Sequence, residues 1–304
     1  MKYLVTGGAG FIGSHLTENL VQNGHEIIVI DNLSTGNLEN LKKVEGKIKF
    51  IKAPAAQVLS LSEINGLEGI FHLGMPSTTK LYRDNPYLTG EALNEFIAIL
   101  ELAKREKCKL IYASSSSLYN GLTPPLLENA NVLVKDFYTE ARYAMERLAK
   151  LYNDFYGVKS IGFRFFSVYG PNEIYKKDFA NLVSQFLWDM QKGKSPKIYG
   201  DGSQTRDFTF VEDIVKGLIA GMDSQYELEI FNLGTGKNYN LNELVAILND
   251  ILGTNIKPEY IPNPLKNYVQ DTLCCTEKVK KALGWEASFD LEKGIRKIIS
   301  YQQR

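Results

Sequence analysis

Cysteine and histidine are scarce in this 304-residue chain, three of each. Cys274 and Cys275 are adjacent and Cys108 stands alone, so neither a disulfide framework nor a metal-ligand spacing can be drawn. A reducing cytoplasm is the expected setting. His15, His25 and His72 are scattered, and no metal site is expected. Net charge is lacking too: Lys plus Arg and Asp plus Glu each number 35. No global field therefore draws the chain to nucleic acid or to an anionic membrane, and an anionic ligand must be held locally. No apolar run is long enough to span a bilayer, and an opening strand at 2–6 leaves no room for a signal peptide. The remaining composition, 44% hydrophobic and 23% charged, suits a large core in one big domain or two intimately joined ones.

Short β-branched and aromatic runs alternate with helical patterns through the first half, which predicts a parallel sheet covered on both faces. Strands are expected at 2–6, 26–31, 47–52, 69–73, 109–114 and 159–166, with helices near 11–24, 89–106 and 136–157. The last helix presents Phe137, Ala141, Met145, Leu148, Tyr152 and Phe155 towards a core or a partner. Right-handed crossovers make this an α/β, doubly wound Rossmann-type sheet. After Gly170-Pro171 the pattern loosens, with one further strand at 229–233 returning to the sheet. The expected domains are 1–166, joined by about 207–233, and a smaller C-terminal α/β substrate lobe formed by 167–206 and 234–304.

Gly7, Gly10 and Gly13 fall where the first strand turns into the first helix. Glycines there permit the tight turn, a close approach of backbone to a pyrophosphate and close helix-to-strand packing, while the helix N-terminus supplies N–H donors. Asp31 ends the second strand, where a carboxylate accepts the adenosine ribose hydroxyls and repels a 2′-phosphate. That favours NAD over NADP. Tyr138 and Arg142 are four apart on a helix and reach the same ligand; Tyr143 and Arg147 form a competing pair at equal spacing. The run Ser114 to Ser117 follows the fifth strand, at the carboxyl edge where doubly wound sheets bind ligands.

The stretch TGGAGFIGSHL and the later IDNLSTG resemble the opening of the extended short-chain dehydrogenase/reductases, and the likeness continues through Phe71-His72-Leu73, Ala113 to Tyr119, Arg164 to Pro171, Gly200 to Val211, Asn232 to Gly236 and Leu283-Gly284-Trp285. The pattern is most similar to nucleotide-sugar 4-epimerases of the UDP-glucose/UDP-galactose type. The resemblance implies NAD contacts at Gly7, Gly10, Phe11, Ile12, Gly13, Asp31, Asn32, Leu33, Ser34, Thr35, Gly36, Leu73, Gly74, Met75, Tyr138, Arg142 and Phe165. It also implies a homodimer joined through the helices near 89–106 and 136–157.

In the resembled family, Tyr138 and Arg142 match a Tyr-x-x-x-Lys pair. The tyrosine must become a phenolate to take a proton from a sugar hydroxyl, and a nearby cation favours that form. Arginine replaces lysine here: it keeps the charge but is planar, bulkier and unable to give up its proton. Ser115 matches the residue that hydrogen-bonds the reacting hydroxyl. Ser116 and Ser117 stand where similar 4,6-dehydratases hold an Asp-Glu pair and decarboxylases a glutamate at the second position; serine replaces neither acid. On the nucleotide-sugar side, the resemblance implies a loop of Ser77 and Thr78 beside the sugar, contacts at Ser167, Asn181, Lys197 and Tyr199, a diphosphate grip by Arg206, and Lys266 as the nearest substitute for a second phosphate-binding arginine. Pro54 replaces an aspartate that bonds the adenine amino group, and no asparagine matches cleanly among Glu91 to Asn94. The expected activity is NAD-dependent epimerisation of a UDP-sugar at C4. The rivals are a reductase or dehydrogenase of the same family and a non-catalytic NAD-binding sensor.

Overall fold

The computed structural model describes residues 1–264 and 268–303. In chain order the elements are β1 (Lys2–Thr6), α1 (Phe11–Gln22), β2 (Glu26–Asp31), β3 (Lys49–Lys52), β4 (Gly69–His72), α2 (Thr79–Asp84), α3 (Leu88–Glu106), β5 (Lys109–Ser115), α4 (Phe137–Tyr156) and β6 (Ser160–Phe165). There follow β7 (Val168–Tyr169), α5 (Leu182–Gln191), β8 (Lys197–Tyr199), β9 (Thr205–Arg206), β10 (Thr209–Phe210), α6 (Val211–Asp223), β11 (Leu228–Leu233), β12 (Tyr239–Asn240), α7 (Leu241–Leu252), β13 (Glu259–Ile261), α8 (Glu277–Leu283) and α9 (Leu291–Gln302).

The chain divides into two compact units. The first comprises Met1–Leu118, Val134–Arg164 and Val215–Phe231. Its sheet runs β11-β6-β5-β4-β1-β2-β3, and the β4-β1-β2-β3 and β4-β5 pairings are parallel. The order reverses between β1 and β4, the switch point at which such sheets bind ligands beyond their strand ends. Ile27 to Ile30 of β2 are buried throughout, because helices cover both faces and an alternating strand would strand polar groups in the core. The α4 helix starts at a capping box in which the Asp136 carboxylate accepts from Thr139 N–H at 2.8 Å and the Thr139 hydroxyl accepts from Asp136 N–H at 3.1 Å. It stops at Gly157, which takes the left-handed conformation that side chains disfavour.

The second unit takes in Tyr119–Leu133, Phe165–Ile214 and the chain from Asn232 onward. Residues 119–133 thus belong to it rather than to the first unit, and the segment that returns to the sheet begins at Val215 rather than near 207. Its strands form three short pairs, β10 with β7, β12 with β9 and β13 with β8. Buried Asp213 organises the C-terminal helices by accepting from the Ser288 hydroxyl at 2.6 Å and from the N–H groups of Ser288 and Phe289. The Trp285 indole donates to the Asp213 carbonyl at 2.9 Å.

The expected stripe on α4 is divided between core and surface: Ala141 and Met145 are fully buried, whereas Phe137 is 50% and Phe155 75% exposed. The lengths of several elements differ from expectation. The third strand is shorter than 47–52, and the six-residue α2 has no apolar period long enough to announce it. The short strands described after Gly170 are two or three residues each, below the length at which alternation is legible.

Candidate active site

At the switch point, Gly7 leaves β1 with φ +67°, and a Cβ on it would stand 2.5 Å from Gly74 Cα. A Cβ on Gly13 would overlap the Gly7 carbonyl oxygen. Gly10, the N-cap of α1, has no side chain to occupy the helix N-terminus, the arrangement of other helix-terminal phosphate sites. The cradle therefore fits a dinucleotide diphosphate, which Gly7, Gly10 and Gly13 would hold with main chain. Gly13→Ala should weaken NAD binding by about a hundredfold, since the backbone must shift by about 1 Å to relieve the overlap; fluorescence titration with NAD checks it.

Asp31 is 7% exposed and accepts from Ala9 N–H at 3.0 Å and Leu33 N–H at 2.8 Å. Burial holds its carboxyl above the usual carboxylate value, partly offset by those two donors. One carboxylate thus fixes the glycine turn and the loop after β2, and each oxygen keeps a second lone pair for a ribose hydroxyl. Leu33 has φ +59°, and Asn32, Ser34 and Thr35 stand exposed beside it, with Gly36 half-buried. Phe11 is buried, while Ile12, Leu73, Gly74, Met75 and Phe165 are half-buried.

Beyond β3 the missing aspartate at Pro54 has a neighbour that the sequence did not disclose. Glu95 on α3 accepts from the N–H groups of Ala55 and Ala56. Burial, and secondarily the Glu91 charge, push its carboxyl up to about 7. A carboxyl raised in the folded state adds stability that is complete below about 4.5 and lost as pH rises through about 7. Glu95→Gln should therefore stabilise the protein at pH 8 by about 1 kcal/mol after solvent screening, with no gain at pH 4; thermal midpoints at the two pH values check it.

The two Tyr/Arg pairs of α4 differ sharply in setting. Tyr143 and Arg147 lie on the outer side, where Arg147 is exposed and pairs with Glu140 at 3.3 Å. Tyr138 and Arg142 are 7% and 3% exposed. The Arg142 guanidinium lies 4.9 Å from the Tyr138 ring centroid and donates to the carbonyls of Pro76 at 2.9 Å and Ala113 at 3.3 Å. It bridges the loop after β4 and the end of β5, a two-carbonyl grip for which a planar fork is suited and a single ammonium is not.

The serines after β5 separate by role. The Ser114 hydroxyl donates to Glu146 at 2.6 Å, and Glu146 is gripped in turn by Arg164 Nη2 at 2.6 Å and Nε at 2.9 Å. That buried cluster ties β5, α4 and β6 together. The Ser115 oxygen accepts from Ser117 N–H at 3.1 Å, so its own hydrogen is left for a ligand. Ser116 and Ser117 are half-buried, Ser77 is exposed, and Thr78 caps α2 through Leu81 N–H.

In the second unit Asn181 is the N-cap of α5; its amide also donates to the Ser167 hydroxyl and the Val168 carbonyl, both at 3.0 Å. Arg206 makes no salt bridge with Asp207 among the described residues. Three of its five N–H groups go to the carbonyls of Thr205, Gln270 and Val269, and its guanidinium lies 5.2 Å from the Tyr268 ring centroid. Asp207 is turned inward to Thr235, Gly236 and Cys274. Tyr199 meets Tyr268 edge to face at 6.3 Å, and the Gln204 amide donates to the Tyr199 carbonyl and the Tyr268 hydroxyl. Gln204 and Tyr268 thus join Tyr199 and Arg206 in one cluster, which two aromatics 69 residues apart could not reveal in sequence. Lys197 is exposed on β8, and Lys266 lies outside the described residues. No group of metal-ligating side chains occurs among the described residues, and no described helix is long and apolar enough to cross a membrane.

This chain is similar over nearly its whole length to enzymes that act on nucleotide sugars. It is 32% identical to a UDP-glucuronate 4-epimerase of Thermodesulfobacterium geofontis, over 99% of this chain and 96% of that one. It is also 32% identical to UDP-glucuronic acid decarboxylase 1 of Arabidopsis thaliana, over 99% of this chain and 69% of the plant protein. Among solved structures, the UDP-glucose 4-epimerase of Thermotoga maritima with UDP-glucose superposes with a TM-score of 0.92 at 30% identity, covering 100% of this chain and 99% of that one. A model of the NAD dependent epimerase/dehydratase family matches residues 3–234. The glycine cradle, the Asp31 carboxylate and the buried Tyr138–Arg142 pair are thus parts of an enzyme that belongs to the NAD dependent epimerase/dehydratase family.

Proposed function

We propose that the chain inverts C4 of a UDP-sugar, with UDP-glucose and UDP-galactose as its pair. The observation that carries this reading is the burial of Tyr138 against Arg142, which is bonded to Ala113 near the end of β5, where the following turn carries serine and no acid at 116 and 117. Tyr138 takes the proton of the 4-hydroxyl and later returns it; Arg142 offsets the charge of the phenolate; Ser115 donates to the reacting oxygen and orients it. The cradle of Gly7, Gly10 and Gly13 with Asp31 would hold NAD, which would supply a reversible hydride acceptor for C4, so no net redox change would result. Elimination or decarboxylation would need an acid at 116 or 117, and serine has no useful proton affinity near neutrality. Arg206, Asn181, Ser167, Lys197 and Tyr199 hold the nucleotide and its diphosphate. Separation of the sugars after incubating the NAD-loaded enzyme with UDP-galactose tests the reading: UDP-glucose is expected, and binding without conversion of any UDP-sugar would favour a sensor instead.

The apolar residues left outside on α3 and α4, Ile97, Leu151, Phe155 and Tyr156, are 36%, 48%, 75% and 56% exposed. They support a homodimer joined through these helices. Light scattering at the monomer mass would remove the dimer from the proposal.

A further inference from the structure

Behind the Tyr138–Arg142 pair, three buried polar atoms have no hydrogen-bond partner among the described residues: Tyr82 Oη, Arg142 Nε and His72 Nε2. An unmet buried donor or acceptor is costly enough that a folded protein rarely keeps several in one place. All three belong to the first unit, and they are electrostatic neighbours. The Arg142 charge acts on both His72 and Tyr82, and Tyr138 acts on Tyr82. The Tyr82 ring is fully buried and meets the Tyr138 ring edge to face at 5.4 Å.

The hydrogens can be assigned. Thr6 Oγ1 accepts from Gly74 N–H at 3.0 Å and shares Leu73 N–H with the Thr6 carbonyl, each at 3.2 Å. With those donors on its oxygen, its own hydrogen is directed to His72 Nδ1, 2.8 Å away, an arrangement that places the proton of the neutral imidazole on Nε2. Burial, with the Arg142 charge second, pushes His72 down to about 3, so the ring stays neutral at any working pH. His72 Nε2–H and Arg142 Nε–H are therefore both donors, and the Tyr82 hydroxyl can accept as well as donate. Two donors and a hydroxyl match the valences of a single water, which accepts twice and donates.

We propose that Tyr82 and His72 are positioning residues for the catalytic pair, their Oη and Nε2–H enclosing with Arg142 Nε one structural water that fixes the roll of the guanidinium against Tyr138. This rests on the reading of Tyr138 as the base. The lysine of the resembled family would need no such support, whereas a guanidinium pinned at both Nη atoms by Pro76 and Ala113 can still tilt about that line unless Nε is held. The charged and titratable groups around Tyr82 are Arg142 and Tyr138 from α4 and Glu91 and Glu95 from its neighbour α3. Burial pushes the phenol up to about 12, so it remains a hydroxyl throughout the pH range of turnover.

The test is Tyr82→Phe, which removes one oxygen and keeps the ring. The inference expects a fall of about three- to tenfold in kcat with KM for the nucleotide sugar unchanged, an acidic limb of the kcat/KM profile displaced upward, no rise in thermal midpoint, and an ordered water bonded to the three atoms in a crystal structure of the parent enzyme. A hydroxyl that merely lies orphaned predicts the opposite, because deleting it relieves a desolvation penalty: a raised midpoint with kcat and the pH profile unaltered would overturn the inference. Tyr138→Phe in parallel separates the two readings. If it retains turnover, the base assignment fails; if it is inactive while Tyr82→Phe equals the parent, only the positioning role fails.

Discussion

Replacing Tyr138 by phenylalanine should lower turnover of the nucleotide sugar by about 10²- to 10⁴-fold while leaving NAD affinity close to that of the parent. The ring stays, and with it the edge contact to Tyr82 and the packing of the Arg142 guanidinium, so the fold around the cofactor cradle has no reason to change. Only the oxygen that exchanges a proton with the sugar is removed. Tyr143→Phe, on the outer side of α4 with Arg147 at 5.2 Å from its ring, should be indistinguishable from the parent. Steady-state rates beside an NAD titration read both, and retained turnover in the first variant would exclude Tyr138 as the base.

The second large effect is expected at Glu146. Its carboxylate is bonded by Arg164 through two nitrogens and by Ser114, and the side chains of the ion pair are 7% and 5% exposed. Removing one member of a buried pair leaves the other charged and desolvated, at a cost of about 3–5 kcal/mol. Glu146→Ala should thus lower the thermal midpoint by roughly 5–8 °C. Glu146→Leu combined with Arg164→Met should recover much of that loss, since an apolar replacement carries no stranded charge. The pair matters to chemistry by position: Glu146 sits one turn beyond Arg142 on α4 and ties that turn to the end of β5, where Ser115 begins the ligand turn. Calorimetry of the single and double variants checks the expectation, and additive losses in the double variant would contradict it.

The sheet was legible in sequence because its strands are continuous apolar runs joined through helices, and because a glycine triplet followed by Asp31 admits few alternatives. The interior of the site was less so. Tyr138 and Arg142 were visible as a pair, but Tyr143 and Arg147 shared the spacing, and burial alone distinguishes them. Tyr82 lies on a helix of six residues with no periodic signal. Glu95 comes to Ala55 and Ala56 only through the packing of α3 on the short turn of Ala55–Gln57 after β3, about 40 residues away in the chain. Arg206 was read as a phosphate ligand; that it is also held by the carbonyls of Val269 and Gln270 and lies against Tyr268 depends on pairings between segments more than sixty residues apart. Phe137 and Phe155 illustrate the converse: a helical stripe records which side is apolar, not how much of it the same chain covers.

The most direct test of the account is the fate of the hydrogen at C4. When the NAD-loaded enzyme is given UDP-galactose carrying deuterium at that carbon, the account predicts UDP-glucose that keeps the label at C4, in water and without accumulation of reduced nicotinamide. Loss of the label to solvent, or a steady rise in absorbance from reduced cofactor, would contradict it.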